Sequence, residues 1–440
     1  MPNQFGERSI LYNLKPINLG TKYVESLTSY IMRIAYEHNV TIGNLINKQI
    51  VPQVNKDYLT RSGTYGGNRF YEGAKTINGY MENSSDLVKV MEKLTSRSDL
   101  SDLTLNKWKD FIALRNLLKD SLSWCPECIN KWRSSSMVYY PLIWHIKPVK
   151  ICIEHNCFLL EECQVCHEKV DILRRQILPG YCSKCFASLS LATNNEKPEP
   201  LELKWQRFII HNLENILTLD ITYFFIKSPR EQILNQLNII NEEYFLGNIS
   251  DFSKFLNIPK STLRCWLSYE NFPALESLLF ICFKINKNIS DLLFENEIPA
   301  VNIYQIDNHI VVKKKKVIRK PLDIVVIEKK LKELLRNDPV ISMSAAANKI
   351  GHDKRVLYRN FPDLCKQISK RYREFVDLKS NQRVEMLKVE INKAFISLIN
   401  EEIYPSRRKI EQRVNKKGLL KEKVLQEYWK SLLAKSGFAE

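Results

Sequence analysis

The chain has 440 residues, too long for one ordinary core, which predicts roughly two to four domains. With 44% hydrophobic and 10% aromatic residues it can bury real cores, and this excludes wholesale disorder. The formal charge of +17 calls for a polyanionic partner, and residues 301–440 hold most of the excess, with 32 Lys and Arg against 17 Asp and Glu.

Residues 16–50 place Leu27, Ile31, Ile34 and Ala35 at helical spacing, predicting an amphipathic helix that starts near Thr21 or Glu25. The Gly- and Asn-rich stretch 62–79 reads as a loop with short turns. Helical periodicity returns over 84–122 through Leu87, Val90, Met91 and Leu94, then Leu114, Leu117 and Leu118. Residues 124–190 change character, with cysteine pairs, Pro126, Pro141, Pro148 and Pro179, and β-like runs such as MVYYPLIW. Segments 193–202 and 299–320 read as linkers; residues 203–295 read as short helical pieces, and after Pro321 the chain reads as helical and basic to its end. No run of about 18 apolar residues predicts a membrane span. The opening MPNQFGERSI has no basic stretch followed by an apolar run, so a secretory signal is not expected and the location is read as cytoplasmic.

Eight of the 11 cysteines fall within residues 125–185, and in a reducing compartment they are better metal ligands than disulfides. Cys163-x2-Cys166 and Cys182-x2-Cys185 enclose 15 residues, the spacing of a four-cysteine zinc ribbon or knuckle. Two intervening residues let both thiolates of a pair reach one ion from a tight turn, and two such turns complete a tetrahedron. Upstream, Cys125-x2-Cys128 and Cys152-x2-His155 form a second candidate set, with Cys157 or His145 as alternative fourth ligands. Two structural Zn2+ ions are therefore expected, each with four protein ligands and no open position for catalysis. Cys265, Cys282 and Cys365 lie in apolar helical patterns and read as small buried hydrophobes.

Three helix-turn-helix candidates follow. In the first, a helix over 251–256 turns at Ile258-Pro259 into a second helix whose outward residues are Lys260, Ser261, Thr262, Arg264 and Ser268. In the second, Ala345, Ala346, Ala347 and Ile350 form a small-residue face, Gly351 supplies the turn, and Asp353 caps the next helix. Lys354, Arg355, Tyr358 and Arg359 would project from it, with Val356, Leu357 and Phe361 inward. The third starts at Pro405-Ser406, where Arg407, Arg408 and Lys409 crowd a first turn that disfavours cations unless phosphate or a base edge lies opposite. There is no P-loop, no dinucleotide fingerprint, no nucleophile elbow and no upstream His-x-Glu of a deaminase beside Cys125, so no enzyme is expected.

The segment from Pro16 through Tyr23-Val24-Glu25-Ser26-Leu27-x2-Tyr30-x2-Arg33-x-Ala35 resembles the opening signature of the TniQ/TnsD family, with Tyr30 where Trp is usual. Trp124-Cys125-Pro126-x-Cys128, Pro141-Leu142-x-Trp144 and Cys152-x2-His155 resemble its first zinc finger, with Ile153 where Pro is frequent. Leu357-Tyr358-x2-Phe361-Pro362-x-Leu364-Cys365 and Tyr404-Pro405-Ser406-Arg407-Arg408 resemble the C-terminal units of the longer, TnsD-like members. The resemblance implies a selector of target sites for Tn7-like transposition, associated with the nucleoid. Its implied partners are a double-stranded DNA attachment site, a AAA+ ATPase regulator, transposase subunits or a CRISPR effector complex. The alternatives are an adaptor for a guide-RNA complex and a zinc-containing transcription regulator. The fold expected is mainly α. It comprises a helical TniQ-like region over 1–123, an inserted double zinc-finger or zinc-ribbon region over 124–192 and a helical domain with the first helix-turn-helix over 203–298. A basic helix-turn-helix over 321–378 and a basic C-terminal unit over 384–440 complete it.

Overall fold

Ser26 opens the first helix of the computed structural model, which describes residues 8–54, 56, 69–135, 137–191, 197–218, 228–294, 323–336, 339–416 and 418–438. Its side-chain oxygen accepts the amide of Ser29 at 3.3 Å and caps α1 (Leu27–Glu37). The start falls after Thr21 and Glu25 because Thr21 closes a turn onto Asn18 and Glu25 is committed to a buried ion pair. Leu27, Ile31, Ile34 and Ala35 are buried, as their spacing requires. Within 62–79, residues 62–68 lie outside the described residues and the rest forms helical turns at Arg69–Glu72 and Ala74–Asn78.

Helix α2 (Glu82–Thr95) buries Leu87, Val90, Met91 and Leu94, then stops at Ser96, whose φ of 53° is left-handed. The helix expected to continue toward 122 is absent. Residues 117–119 instead pair with 145–147 (Lys147 N to Leu117 O, 2.8 Å; Lys119 N to His145 O, 2.9 Å), so tertiary pairing overrides local periodicity. Leu117 is buried while Leu114 is exposed. The β-like run 137–144 forms no strand, and its end turns into a 3-10 helix at Leu142–His145. It makes single bonds to the strap before α1 (Ser26 N to Tyr140 O, 3.0 Å; Leu142 N to Val24 O, 2.8 Å), and Pro141 has no amide to extend a ladder. Among the described residues the sheet is one hairpin, β1 (Ile151–Cys152) with β2 (Cys157–Phe158), antiparallel with Cys152 opposite Cys157.

A middle group of helices follows: α4 (Pro200–Thr218), α5 (Pro229–Phe245), α6 (Ile249–Leu256), α7 (Lys260–Leu267), α8 (Leu275–Lys284) and α9 (Ile289–Phe294), with α3 (Pro126–Ser135) upstream in the cysteine region. One apolar core runs from Leu11 to Leu293 and includes the eight clustered cysteines, so the cysteine region is built into the N-terminal and middle helices. Arg230 ties the middle group to the N-terminal region by donating to the carbonyls of Lys109 and Ile112, both at 2.8 Å.

Two smaller cores complete the chain. Helices α10 (Ile324–Arg336), α11 (Met343–Ile350) and α12 (Lys354–Asn360) pack with the start of α13 (Pro362–Asn400) around Leu331, Ala346, Leu357 and Cys365. The far half of α13 packs with α14 (Arg407–Arg413) and α15 (Lys423–Lys435) around Ile391, Phe395, Ile410 and Leu425. At 39 residues, α13 is about 58 Å long and runs unbroken through 378–384, where the sequence suggested a boundary. The linker expected over 299–320 lies outside the described residues.

Candidate metal centres and nucleic-acid interface

The opening signature folds into a buried polar knot. Glu25 accepts two bonds from Arg33 (Nε at 3.1 Å, a terminal nitrogen at 2.7 Å), one from Ser29 Oγ at 3.1 Å and one from the Ile17 amide at 3.3 Å. Burial pushes its carboxyl up from the usual range, and the Arg33 guanidinium opposes that shift. Arg33 also reaches Lys15 O at 2.8 Å and Tyr30 donates to Leu14 O at 2.9 Å, so residues 14–17 are strapped across α1. These residues hold the scaffold on which the cysteines sit.

Cys125 precedes α3 and Cys128 lies in its first turn, while Cys152 and His155 belong to the hairpin. The donors of Cys125, Cys128, Cys152 and His155 all lie within 4.8 Å of one another, as do those of Cys163, Cys166, Cys182 and Cys185. Within each set, sulfurs from the two different turns are 3.7 Å apart: Cys128–Cys152, Cys163–Cys185 and Cys166–Cys182. A disulfide would bring them to about 2.05 Å. A tetrahedron of zinc–sulfur bonds near 2.3 Å puts its sulfurs about 3.8 Å apart, and its sulfur–nitrogen edges near 3.6 Å. His155 Nδ1 stands 3.4, 3.3 and 3.6 Å from Cys125, Cys128 and Cys152. Both donor sets thus fit a tetrahedral ion.

The alternative ligands separate cleanly. Cys157 Sγ is 3.6 Å from Cys125 Sγ but falls outside the mutual group of four. His145 is elsewhere: its Nε2 meets Ser26 Oγ at 3.2 Å, and its buried Nδ1 has no hydrogen-bond partner among the described residues. Burial, with the nearby Lys119 charge, takes its pKa down to about 3. Of the remaining cysteines, Cys282 and Cys365 are buried, whereas Cys265 is only half-buried.

The first candidate unit comprises α6 and α7, joined by a turn with Asn257 in the left-handed region (φ 53°) and Pro259 before α7. Lys260, Ser261, Arg264 and Ser268 are exposed and Thr262 is half-buried. Ser268 Oγ donates to Glu270 at 3.0 Å, which brings a carboxylate onto this face. Residues 249–294 carry five Lys and Arg against four Asp and Glu.

The second unit differs in charge. Ser342 caps α11, Gly351 ends it at φ 83°, and Asp353 caps α12 by accepting the Arg355 amide at 2.7 Å. Lys354, Arg355 and Arg359 are exposed on α12. Tyr358 does not project: its hydroxyl meets Ser369 Oγ at 2.7 Å and its ring packs on the local core. Val356, expected inward, is 37% exposed, and Leu357 with Phe361 supplies the buried side. Residues 339–375 carry eight Lys and Arg against three Asp and Glu. Lys366, Lys370 and Arg373 extend the exposed basic face onto α13; their i, i+4, i+7 spacing was the overlooked sequence signal.

In the third unit Ser406 caps α14 by accepting the Lys409 amide at 3.4 Å, and Arg408 and Lys409 are exposed. Arg407 instead turns inward to Glu411 at 3.3 Å and to Asn39 Oδ1 at 3.3 Å. This unit docks on the N-terminal region. Lys421 Nζ donates to the carbonyls of Tyr36 (3.1 Å) and Ala35 (3.3 Å), which also accept the Asn39 and Val40 amides, at the end of α1 where the helix dipole is negative.

The fold and these sites define a mainly helical scaffold with two buried Cys/His sets that could each hold a metal ion, followed by further helical units. Residues 16–159 match the family model of TniQ. The match covers under half of the chain, so it assigns a TniQ-type domain to residues 16–159. The matched segment spans the strapped α1 and the whole first metal cluster; the second cluster and the helix-turn-helix units lie beyond it. No curated protein matches the chain. No described helix is long and apolar enough to cross a membrane.

Proposed function

We propose that this TniQ-domain protein is a non-catalytic selector that reads a DNA attachment site directly and presents it to a AAA+ ATPase regulator. The observation that carries this reading is the α11–α12 unit. Its second helix exposes Lys354, Arg355 and Arg359 beside the exposed Lys366, Lys370 and Arg373 of α13. A helix-turn-helix places its second helix in the major groove, where Arg reads guanine edges, and flanking cations neutralise phosphates. The α6–α7 unit is nearly neutral and carries Glu270 on its face, so Lys260, Ser261, Thr262, Arg264 and Ser268 contribute less. Arg408 and Lys409 add backbone contacts, with Ser406 and Arg407 positioning their helix.

Zn2+ is the ion proposed for both cysteine sets. Four protein donors close each site, so the ion stiffens the scaffold and leaves no position for a reacting water. Residues 1–190 face the ATPase and residues 250–440 face DNA. A footprint of the zinc-loaded protein at moderate salt tests this. A discrete protected site should appear, lost in Arg355→Ala/Arg359→Ala at about 1–3 kcal/mol per base contact and absent after deletion of 300–440. Diffuse, salt-sensitive binding without a site would mean that sequence specificity is borrowed from a guide-RNA complex.

A further inference from the structure

A cavity of about 550 Å³ lies where the turn after α1 (Val40, Thr41), the four-cysteine knuckle and the C-terminal helices meet. Its volume falls within the range of sites that take ligand groups, roughly 300–1,000 Å³. The floor is apolar, formed by Val165, Ile177, Phe186, Leu387 and Leu419 among others. Two large apolar side chains at its edge are left in water: Leu191 is 72% exposed and Met386 63%. The walls are tied together. Tyr372 OH bonds Cys166 O on the knuckle, the Arg383 guanidinium sits 5.1 Å over the Phe186 ring, and Lys421 holds the end of α1.

Charge selects the occupant. Arg133, Lys379, Arg383, Lys416 and Lys421 line the cavity against one carboxylate, Glu422, which Arg383 already holds at 2.6 and 2.7 Å. Lys416 pairs with Glu390 at 2.7 Å, but Arg133 donates to the neutral hydroxyls of Ser188 and Ser190, and Lys379 is exposed. A phosphate backbone suits the cationic rim and gains nothing from the apolar floor. Closely packed interiors do not keep a void of this size without losing the contacts that would fill it.

We infer that this cavity is a docking site for an acidic amphipathic segment of a partner protein, its Leu-, Phe- or Met-type side chains on the floor and its carboxylates toward Lys379 and Arg133. The polarizable, unbranched Met386 suits such a surface. The site is separate from the DNA-reading face of α12 and does not depend on it.

Selection of a random displayed peptide library against the full-length, zinc-loaded protein tests the inference. The wild type should enrich peptides that combine Asp or Glu with Leu, Phe or Met. A representative peptide should bind about tenfold or more weakly to Leu191→Asp/Met386→Asp and to Lys379→Glu. Both apolar positions are exposed, and unchanged helical circular dichroism will show that the variants fold. No enrichment, enrichment of basic peptides, or undiminished binding to the variants would overturn the inference. So would duplex DNA binding weakened by Leu191→Asp/Met386→Asp, because the rim would then be a phosphate face. The footprint test of the DNA reader is read separately and can succeed or fail independently.

Discussion

Replacing Arg33 by Ala should unfold the N-terminal region far more easily, because it strands a carboxylate with no access to water. Glu25 is 0% exposed and would lose both guanidinium bonds, at 2.7 and 3.1 Å, keeping only Ser29 Oγ and the Ile17 amide. The strap loses the Lys15 O contact as well. Breaking one side of a buried pair costs about 3–5 kcal/mol, a large share of the roughly 5–15 kcal/mol that holds a domain together. Urea unfolding followed by tryptophan fluorescence suits the measurement, since Trp108, Trp124 and Trp144 are fully or almost fully buried in this region. With a slope near 3 kcal/mol per molar, the midpoint should fall by about 1 M or more. The double variant Glu25→Gln/Arg33→Met removes both charges and should recover a good part of the loss. A loss below about 1 kcal/mol for Arg33→Ala, or no recovery in the double variant, would refute the reasoning.

Three further outcomes follow from the same structure. His145 is buried neutral with its pKa down at about 3, so its stabilising contribution is complete above about 6.5 and is lost as pH falls toward 3. Stability near pH 5 should be about 2 kcal/mol lower than at pH 7, and His145→Gln should flatten that part of the profile; an unchanged slope would count against the buried neutral ring. Lys119, taken down to about 8 by burial, sits 3.8 Å from Glu161 and donates to Ser123 Oγ at 2.9 Å. Lys119→Met should be neutral or stabilising in thermal melts at pH 7, since an apolar side chain avoids the desolvation; a drop of several degrees would contradict this. Cys166→Ser should remove one of two bound metal equivalents by elemental analysis and lower the melting temperature, whereas Cys265→Ser should leave metal content unchanged. Equal metal loss in both variants would dissolve the assignment of the second cluster.

The chain by itself determined whatever depends on near neighbours. The two-residue spacings at Cys125, Cys163 and Cys182 announce turns that aim paired thiolates at one point, and the structure gathers those donors. Gly351 and Asp353 mark a helix end and a helix start because a left-handed residue and a capping carboxylate act over one turn. The apolar spacing of Leu27, Ile31 and Ile34 likewise names a buried face. Tertiary structure alone decided the choice of His155 over Cys157 and His145, because all three are chemically able and only the mutual distances discriminate. It also ended the helical pattern near Ser96, where pairing of residues 117–119 with 145–147 outweighs periodicity. Arg407 looked like a nucleic-acid contact in sequence and was drawn instead to Glu411 and to Asn39, more than 350 positions earlier in the chain. Local turns and caps are paid for within a few residues, but the partner of a long side chain is set by what the rest of the chain brings within its reach.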